Sequence, residues 1–464
     1  MPLPATLLEA IASPGGGQLA VVIGAGCSFE EPTAMPLAGR LSEDAHRQLV
    51  LNGVIDQGEC LEPWNLAELA SLVYDKTGGQ EDLVSKFPIN EMKTATPNEG
   101  YLLLAALMSE NAVSHVLSLN FDLAVQSAIA QLGLGSKISI VDCSGQNVAA
   151  VPTLVHLHGC INSHSDSLVL RTEIMDDDWK ESWEELVSTQ ILSAPSILFA
   201  GLGSAAPVLS QTLAILDDYM GGNKQTFQVD VSTYAENQLA QELSIHQDSF
   251  IQSPWCAFMS EISLRLFEEQ IHGLTVNSRN VVTANDGTEQ MLAAIEIATN
   301  KMRDAGFLGL GKHRANLCVD GKVRYKPYGE VPDHLYVDPM LTLSNACEAL
   351  GCDFVPLPNG IWEILQNGRR VGTVMLASGE GAYRLSGLET KIRGISERFA
   401  NEMGAEPSIV LVGGTVAGVN SGPANDLIDP DHVDDIIHGP GPALIMDISA
   451  TNLNDNIARK LGVA

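Results

Sequence analysis

Positive charge is what this sequence has least of. Its 464 residues hold 26 Lys and Arg against 57 Asp and Glu, a formal charge of −31. A surface this acidic repels phosphate backbones and anionic lipid, so neither direct nucleic-acid binding nor membrane attachment is expected. No basic residue precedes Arg40, so the positive segment that opens a secretory signal is missing. A clean membrane-length apolar run is lacking too. The longest uncharged stretch, 186–216, is broken in its 193–216 part by Pro195, Gly201, Gly203 and Pro207, and that part reads as a strand, a Gly turn and a helix. Cysteines are few and scattered: there are eight, and Cys347 and Cys352 form the single close pair. That excludes a CxxC…CxxC zinc site and a disulfide framework, and a cytoplasmic protein with reduced thiols is expected. Internal repeats and low-complexity segments are also absent.

What is present suits a folded chain of two or three domains: 45% hydrophobic and 18% charged residues. The first 220 residues alternate short apolar runs with helical patterns. Strand-type runs lie at 19–23 (LAVVI), 113–119, 137–141, 153–157 and 196–200 (SILFA), with helical stretches at 65–76, 97–109, 122–133 and 180–193. This alternation predicts an α/β domain, a Rossmann-like parallel sheet with helices on both faces. Such sheets bind ligands beyond the carboxyl ends of their strands. A further strand is expected at 227–231 (FQVDV), a helix at 236–243, an amphipathic helix at 255–271, a polar connector over 274–286 and a helix at 287–304.

The C-terminal third has another grammar. Asp320-Gly321 lies between NLCV and KVRY, and Asn367-Gly368 between WEILQ and RRVGTVML, which predicts two hairpins. A turn at 379–381, a helix at 388–402, a strand at 408–412, an acidic helix near 431–437, a strand at 443–446 and a last helix complete an α+β domain with an antiparallel meander. The division expected is 1–275, a connector and helix at 276–310, and an α+β domain at 311–464. Val412-Gly413-Gly414-Thr415 after a strand offers a phosphate-binding loop. The acidic run from Asp426 to Asp435 reads as a solvated loop and helix start rather than a metal site.

Four motifs fall at strand ends. Gly24-Ala25-Gly26-Cys27-Ser28 follows the first strand; its glycines admit close backbone approach and its N–H groups favour a diphosphate, although a turn without ligand uses the same residues. Phe29 stands where a dehydrogenase fingerprint has its third Gly, and no carboxylate ends a second strand about twenty residues on. Asn120 and Asp122 follow the second strand, as ligand-facing groups or as a helix cap. His156 and His158 precede Gly159; alternation puts both imidazoles on one face, as structural histidines more readily than as metal ligands. Gly201, Gly203 and Ser204 follow the SILFA strand.

In this order (GAGxS, NxD, HG, a late GxGS) the chain resembles the Sir2 family over about residues 1–275, and is closer to the Sir2-like proteins of bacterial antiphage defence than to the zinc-containing deacylases. The resemblance implies NAD as substrate. Gly24, Ala25, Gly26 and Ser28 would cradle the diphosphate, Asn120 and Asp122 would face the nicotinamide ribose, His158 would be the catalytic histidine, and Gly201, Gly203 and Ser204 would line the adenosine half. Three departures stand out. Cys160 alone lies where deacylases carry four zinc cysteines, so no zinc is expected. Arg40 is one residue late after Pro36. Ala206 replaces an Asp common in defence relatives.

The activity so implied is NAD hydrolysis to nicotinamide and ADP-ribose. The leaving pyridine departs neutral, so no acid is needed at it, unlike ordinary glycosidases with their two carboxylates. What is needed is a positioned nucleophile and stabilisation of an oxocarbenium-like centre. An NAD- or ADP-ribose-binding signalling module and an NAD-dependent deacylase are the alternatives. A hydrolase of this kind must be gated. A homo-oligomer, or a defence partner of ATPase or Argonaute-like type, is therefore expected, with 311–464 as sensor or docking surface.

Overall fold

The computed structural model describes residues 3–12, 18–135, 137–142, 145–148, 152–171, 182–203, 212–216, 218, 224–284, 287–317, 334–378, 407–413, 443–448 and 452–463. Ser204, Ala206, the Asp320-Gly321 turn, the 379–381 turn, the 388–402 helix, Gly414-Thr415 and the acidic run 426–435 lie outside them. The chain divides into two compact units, Met1–Ser263 and Leu264–Ala464.

The first unit is built on seven strands: β1 Leu19–Ile23, β2 Val113–Ser118, β3 Ser139–Val141, β4 Thr153–His156, β5 Ser196–Ala200, β6 Gln225–Asp230 and β7 Phe250–Gln252. Their order is β3-β4-β2-β1-β5-β6-β7, every pair parallel. LAVVI and SILFA are buried at every residue, as continuous apolar runs require when helices cover both faces. The helices start where short polar side chains can take an orphan N–H: Asn65, Asn98 and Ser182 each accept from the amide three residues on. The unit is therefore a Rossmann-like α/β domain, as its sequence predicts.

Register decides where ligand-facing residues emerge. Ile23 pairs with Ser118 on one side and Ala200 on the other. Ser118 pairs with His156, and Ala200 with Val229. So Leu157, Leu119, Gly24, Gly201 and Asp230 leave the sheet in one row. β1 is also the switch point: the chain crosses from it to β2 on one side and later returns to β5 on the other, the arrangement that opens a crevice above a doubly wound sheet.

In the second unit, β8 Asp353–Pro356, β9 Trp362–Gln366 and β10 Arg369–Ser378 are antiparallel, and β11 Ile409–Gly413 and β12 Leu444–Asp447 add to β10 in parallel. The sheet is thus mixed, and the meander covers its first three strands. Asn367 and Gly368 turn the β9–β10 hairpin with φ of 51° and 72°, the left-handed pair that a two-residue hairpin demands. Two further readings change. The helix that begins at Trp255 runs on to Ala284, so 274–284 is helix and not a polar connector. Asn316 and Leu317 of the NLCV run are not in a hairpin arm, because they close the helix Gly306–Leu317; Cys318 and Val319 lie outside the described residues.

Candidate functional site

A cavity of about 640 Å³ opens above the carboxyl ends of the central strands. Gly24, Ala25, Gly26 and Ser28 border it, with Asn120 and Asp122 after β2, Gly201 and Gly203 after β5, and Asp230 at the end of β6. His158 is not among the lining residues. It is buried in the turn after β4, two strands from β1, where Ile161 N donates to Phe121 O at 2.8 Å and ties its loop to the Asn120–Asp122 segment. β4 ends at His156, and the chain turns at Leu157 and His158, so strict alternation does not govern the two imidazoles.

The first loop is held by backbone contact. Gly24 N donates to Ala200 O and Gly26 N to Gly201 O, both at 2.9 Å. A Cβ on Gly26 would lie 2.7 Å from the Gly201 Cα, and one on Gly201, where φ is +66°, would lie 2.4 Å from Cys27 N. These glycines are therefore needed for the β1 and β5 loops to meet, independently of any ligand.

Below the cavity lies a buried polar network. Ser28 Oγ donates to Asp122 Oδ2 at 2.8 Å and lies 2.6 Å from the Tyr101 hydroxyl. Asn120 Nδ2 donates to Gly24 O at 3.0 Å and reaches Ser28 Oγ at 3.1 Å and the Tyr101 hydroxyl at 3.2 Å. Asp122 Oδ1 accepts from Ala124 N at 3.0 Å, so this residue is a helix cap and a cavity wall at once. Its carboxyl is pushed up by burial, against the lowering pull of the Ala124 N–H, the Ser28 hydroxyl and His156. His156 Nδ1 donates to Asn120 O at 3.1 Å; burial lowers its pKa, with the Asn120 carbonyl and Asp122 opposing. Burial alone brings His158 down to about 4. Neither imidazole Nε2 has a hydrogen-bond partner among the described residues. Ser28 spends its proton on Asp122, and the Gly24, Gly26 and Cys27 N–H groups go to Ala200 O, Gly201 O and Gly24 O, so these four donors already have partners within the protein.

Several site residues escape motif reading. Asn98 Nδ2 donates to Cys27 O at 2.8 Å while its Oδ1 accepts Tyr101 N, so one buried amide joins the GAGxS loop to the Tyr101 helix. Glu30 lines the cavity and accepts from Trp255 N at 2.5 Å and Cys256 N at 3.3 Å, a carboxylate at a helix N-terminus. Asp230 accepts from Ser232 N at 2.8 Å and Ser232 Oγ at 2.7 Å through Oδ1. The FQVDV run was the available signal for Asp230, a carboxylate ending a strand as a ribose carboxylate does. Among the described residues no group of three His, Cys, Asp or Glu is placed to hold a metal ion, and no described helix is long and apolar enough to cross a membrane.

Sheet order and site together define a doubly wound, Rossmann-like α/β domain with a ligand-sized cavity above its switch point. Residues 114–252 match the family model of the SIR2-like domain. Among solved structures, a Sir2 homolog in complex with NAD is 15% identical with a TM-score of 0.35, the match covering 55% of this chain and 91% of that one. A mutant Sir2 homologue in complex with ADP-ribose is 16% identical, also with a TM-score of 0.35, covering 56% and 94%. Comparison with curated proteins finds no match.

Proposed function

We propose that this chain hydrolyses NAD, breaking the bond between nicotinamide and ribose to release nicotinamide and ADP-ribose, as a gated effector of antiphage defence. The observation that carries the reading is the row of strand ends. From Leu157 to Asp230 it spans four strand spacings, about 19 Å, with the Gly24–Gly26 backbone at its middle. An extended dinucleotide suits such a row, with its diphosphate over β1, nicotinamide toward β2 and β4, and adenosine toward β5 and β6.

In this reading Asp122 supports the positive charge that develops on the ribose ring, and Asn120 aligns a water or ribose hydroxyl with the anomeric carbon. Water supplies the oxygen, the C–N electron pair leaves with the pyridine nitrogen, and one proton must be taken up. His158 is neutral near pH 7 and is the proposed acceptor; its ring has to turn toward the cavity when substrate binds. Purified protein should release nicotinamide from NAD, and Asn120→Ala and His158→Ala should each slow it. Equal NAD loss in all three would overturn the proposal. Tight ADP-ribose binding without turnover in every assembly state would mark a binding module, and release that depends on an acylated peptide a deacylase. Restraint of the activity is assigned to residues beyond 275, through self-association or a partner. Particle size and turnover measured on the same samples, with and without candidate partners, test that assignment.

The cavity also bears on which dinucleotide enters. Its described lining has three carboxylates, Glu30, Asp122 and Asp230, and no Lys or Arg. With adenosine over β6, a 2′-phosphate would approach Asp230, and juxtaposed like charges cost several kcal/mol. NADP should therefore be consumed about 100-fold more slowly than NAD, as competition between the two in one assay would read out.

A further inference from the structure

The polar network beneath the cavity has one direction only. Gly24 O is an acceptor and nothing else, so the end of the Asn120 amide that meets it at 3.0 Å is the NH2 group. With one of its two protons on Gly24 O, the group has one left to share between Ser28 Oγ and the Tyr101 hydroxyl, and it accepts from neither. Ser28 Oγ has one proton, and it goes to Asp122 Oδ2 at 2.8 Å. Ser28 must then be the acceptor in its 2.6 Å contact with Tyr101. The chain runs Tyr101 O–H to Ser28 Oγ, then Ser28 O–H to Asp122.

Among the described residues the reverse chain has no end. If Asp122 were protonated on Oδ2 and donated to Ser28, Ser28 would donate to Tyr101, and the Tyr101 proton would face an amide NH2. Asp122 Oδ1 cannot carry the proton instead without losing the Ala124 N–H, which it accepts at 3.0 Å. Tyr101 is fully buried, and a buried donor without an acceptor is costly. The geometry thus opposes the neutral acid, although burial pushes the Asp122 carboxyl up.

We propose that Tyr101 is a positioning residue for Asp122, its hydroxyl fixing the proton chain so that the side chain beneath the cavity remains a carboxylate. The inference rests on the reading of Asp122 as the anion facing the substrate's cationic centre. The titratable groups facing Asp122 are Tyr101 from the helix Glu99–Ser109, Cys27 from the short helix Ala25–Phe29, and His156 from β4. Burial raises the Tyr101 phenol and the Cys27 thiol well above their usual values and lowers His156. All three are therefore uncharged near pH 7, and none competes with the hydrogen-bond chain as a source of charge.

Tyr101→Phe removes one oxygen and keeps the ring that packs 6.1 Å from Trp255. The carboxyl 13C resonance of Asp122, assigned with Asp122→Asn, should titrate roughly one unit higher in Tyr101→Phe than in wild type. The acid limb of nicotinamide release should move up by the same amount. Ser28→Ala cuts the same chain in its middle and should shift the titration in the same direction, which carries the test should Tyr101→Phe fail to fold. An unmoved titration in the folded variants would overturn the proposal even with NAD hydrolysis intact. A titration that moves in a protein that releases no nicotinamide at any pH would uphold the chain and sink the hydrolase reading.

Discussion

Asn120→Ala should lower nicotinamide release by about 100- to 1,000-fold, the loss that follows removal of one well-placed polar group at a reacting centre. The size follows from what the side chain does. Its Nδ2 ties together three oxygens from distant parts of the chain, Gly24 O, Ser28 Oγ and the Tyr101 hydroxyl, while its Oδ1 makes no hydrogen bond to the described residues and the residue borders the cavity. The amide is thus pinned at one end and presents an acceptor at the other. Truncation removes the acceptor and frees the loop proposed to hold the diphosphate. It also strips these buried oxygens of the two protons they share, a stability cost of about 1–3 kcal/mol, so thermal melting must accompany the assay. Asn120→Asp discriminates further. It keeps an acceptor, loses the donor, and sets a second carboxylate beside Asp122, so it should be as slow as Asn120→Ala or slower. A folded Asn120→Ala within tenfold of wild type would remove Asn120 from the chemistry.

The sheet of the first unit is legible in sequence because burial on both faces erases alternation. LAVVI has no polar residue to mislead and SILFA only its leading serine, and their bounds are those of β1 and β5. β7 is three residues at the sheet edge, too short for any pattern to form. The polar look of 274–286 hides a helix. Ile271, Leu274, Ser278 and Val282 are buried at spacings of three and four, a helical stripe with a serine in it, while Thr275 and Val276 lend the segment a strand-like surface. The Asp320-Gly321 signal misassigned Asn316 and Leu317 because a turn dipeptide says nothing about its flanks. Asn316 belongs to a helix whose side chains reach β9 and the turn before it: its amide donates to Gly360 O at 2.7 Å, and the His313 ring sits 5.0 Å from Trp362.

Of the site, the parts carried by backbone were legible and the parts carried by distant side chains were not. Gly24, Gly26 and Gly201 announce themselves because only glycine permits the approach of two loops. Asn120 and Asp122 were visible as polar residues ending an apolar strand. Tyr101 sits in the helical run EGYLLLAALMS, where an aromatic reads as core, and only the fold brings it to Ser28, 73 residues away. Glu30 finds the Trp255 amide 225 residues on. Sequence spacing cannot encode such pairs. The histidines were visible but not their orientation, because that depends on where β4 ends.

The second large effect is on stability in acid. His158 is a neutral imidazole whose burial holds its pKa near 4, against an ordinary value of 6.5. The unfolded chain takes up that proton at a higher pH than the folded one. Between pH 6.5 and 4 the unfolded state therefore binds more protons, and stability rises with pH across that window. The contribution is complete above pH 6.5 and is lost as pH falls, by about 3 kcal/mol at the low end. His156, lowered by the same burial, adds to the slope with the same sign. Asp122 acts in the opposite sense: its raised carboxyl binds a proton more readily when folded, so protonation there favours the native state. With the His158 shift the one of known size, the urea midpoint of the first unit should fall from pH 7 to pH 4.5. His158→Gln should flatten that fall by about one proton's worth, close to 1.4 kcal/mol per pH unit at most. In the C-terminal unit the buried His313, held near 3, imposes the same sign on a second transition. A wild-type midpoint that does not change between pH 6.5 and 5 would mean that the His158 ring already meets water. The imidazole would then face the cavity before substrate arrives, and no rotation would be needed for it to take a proton there.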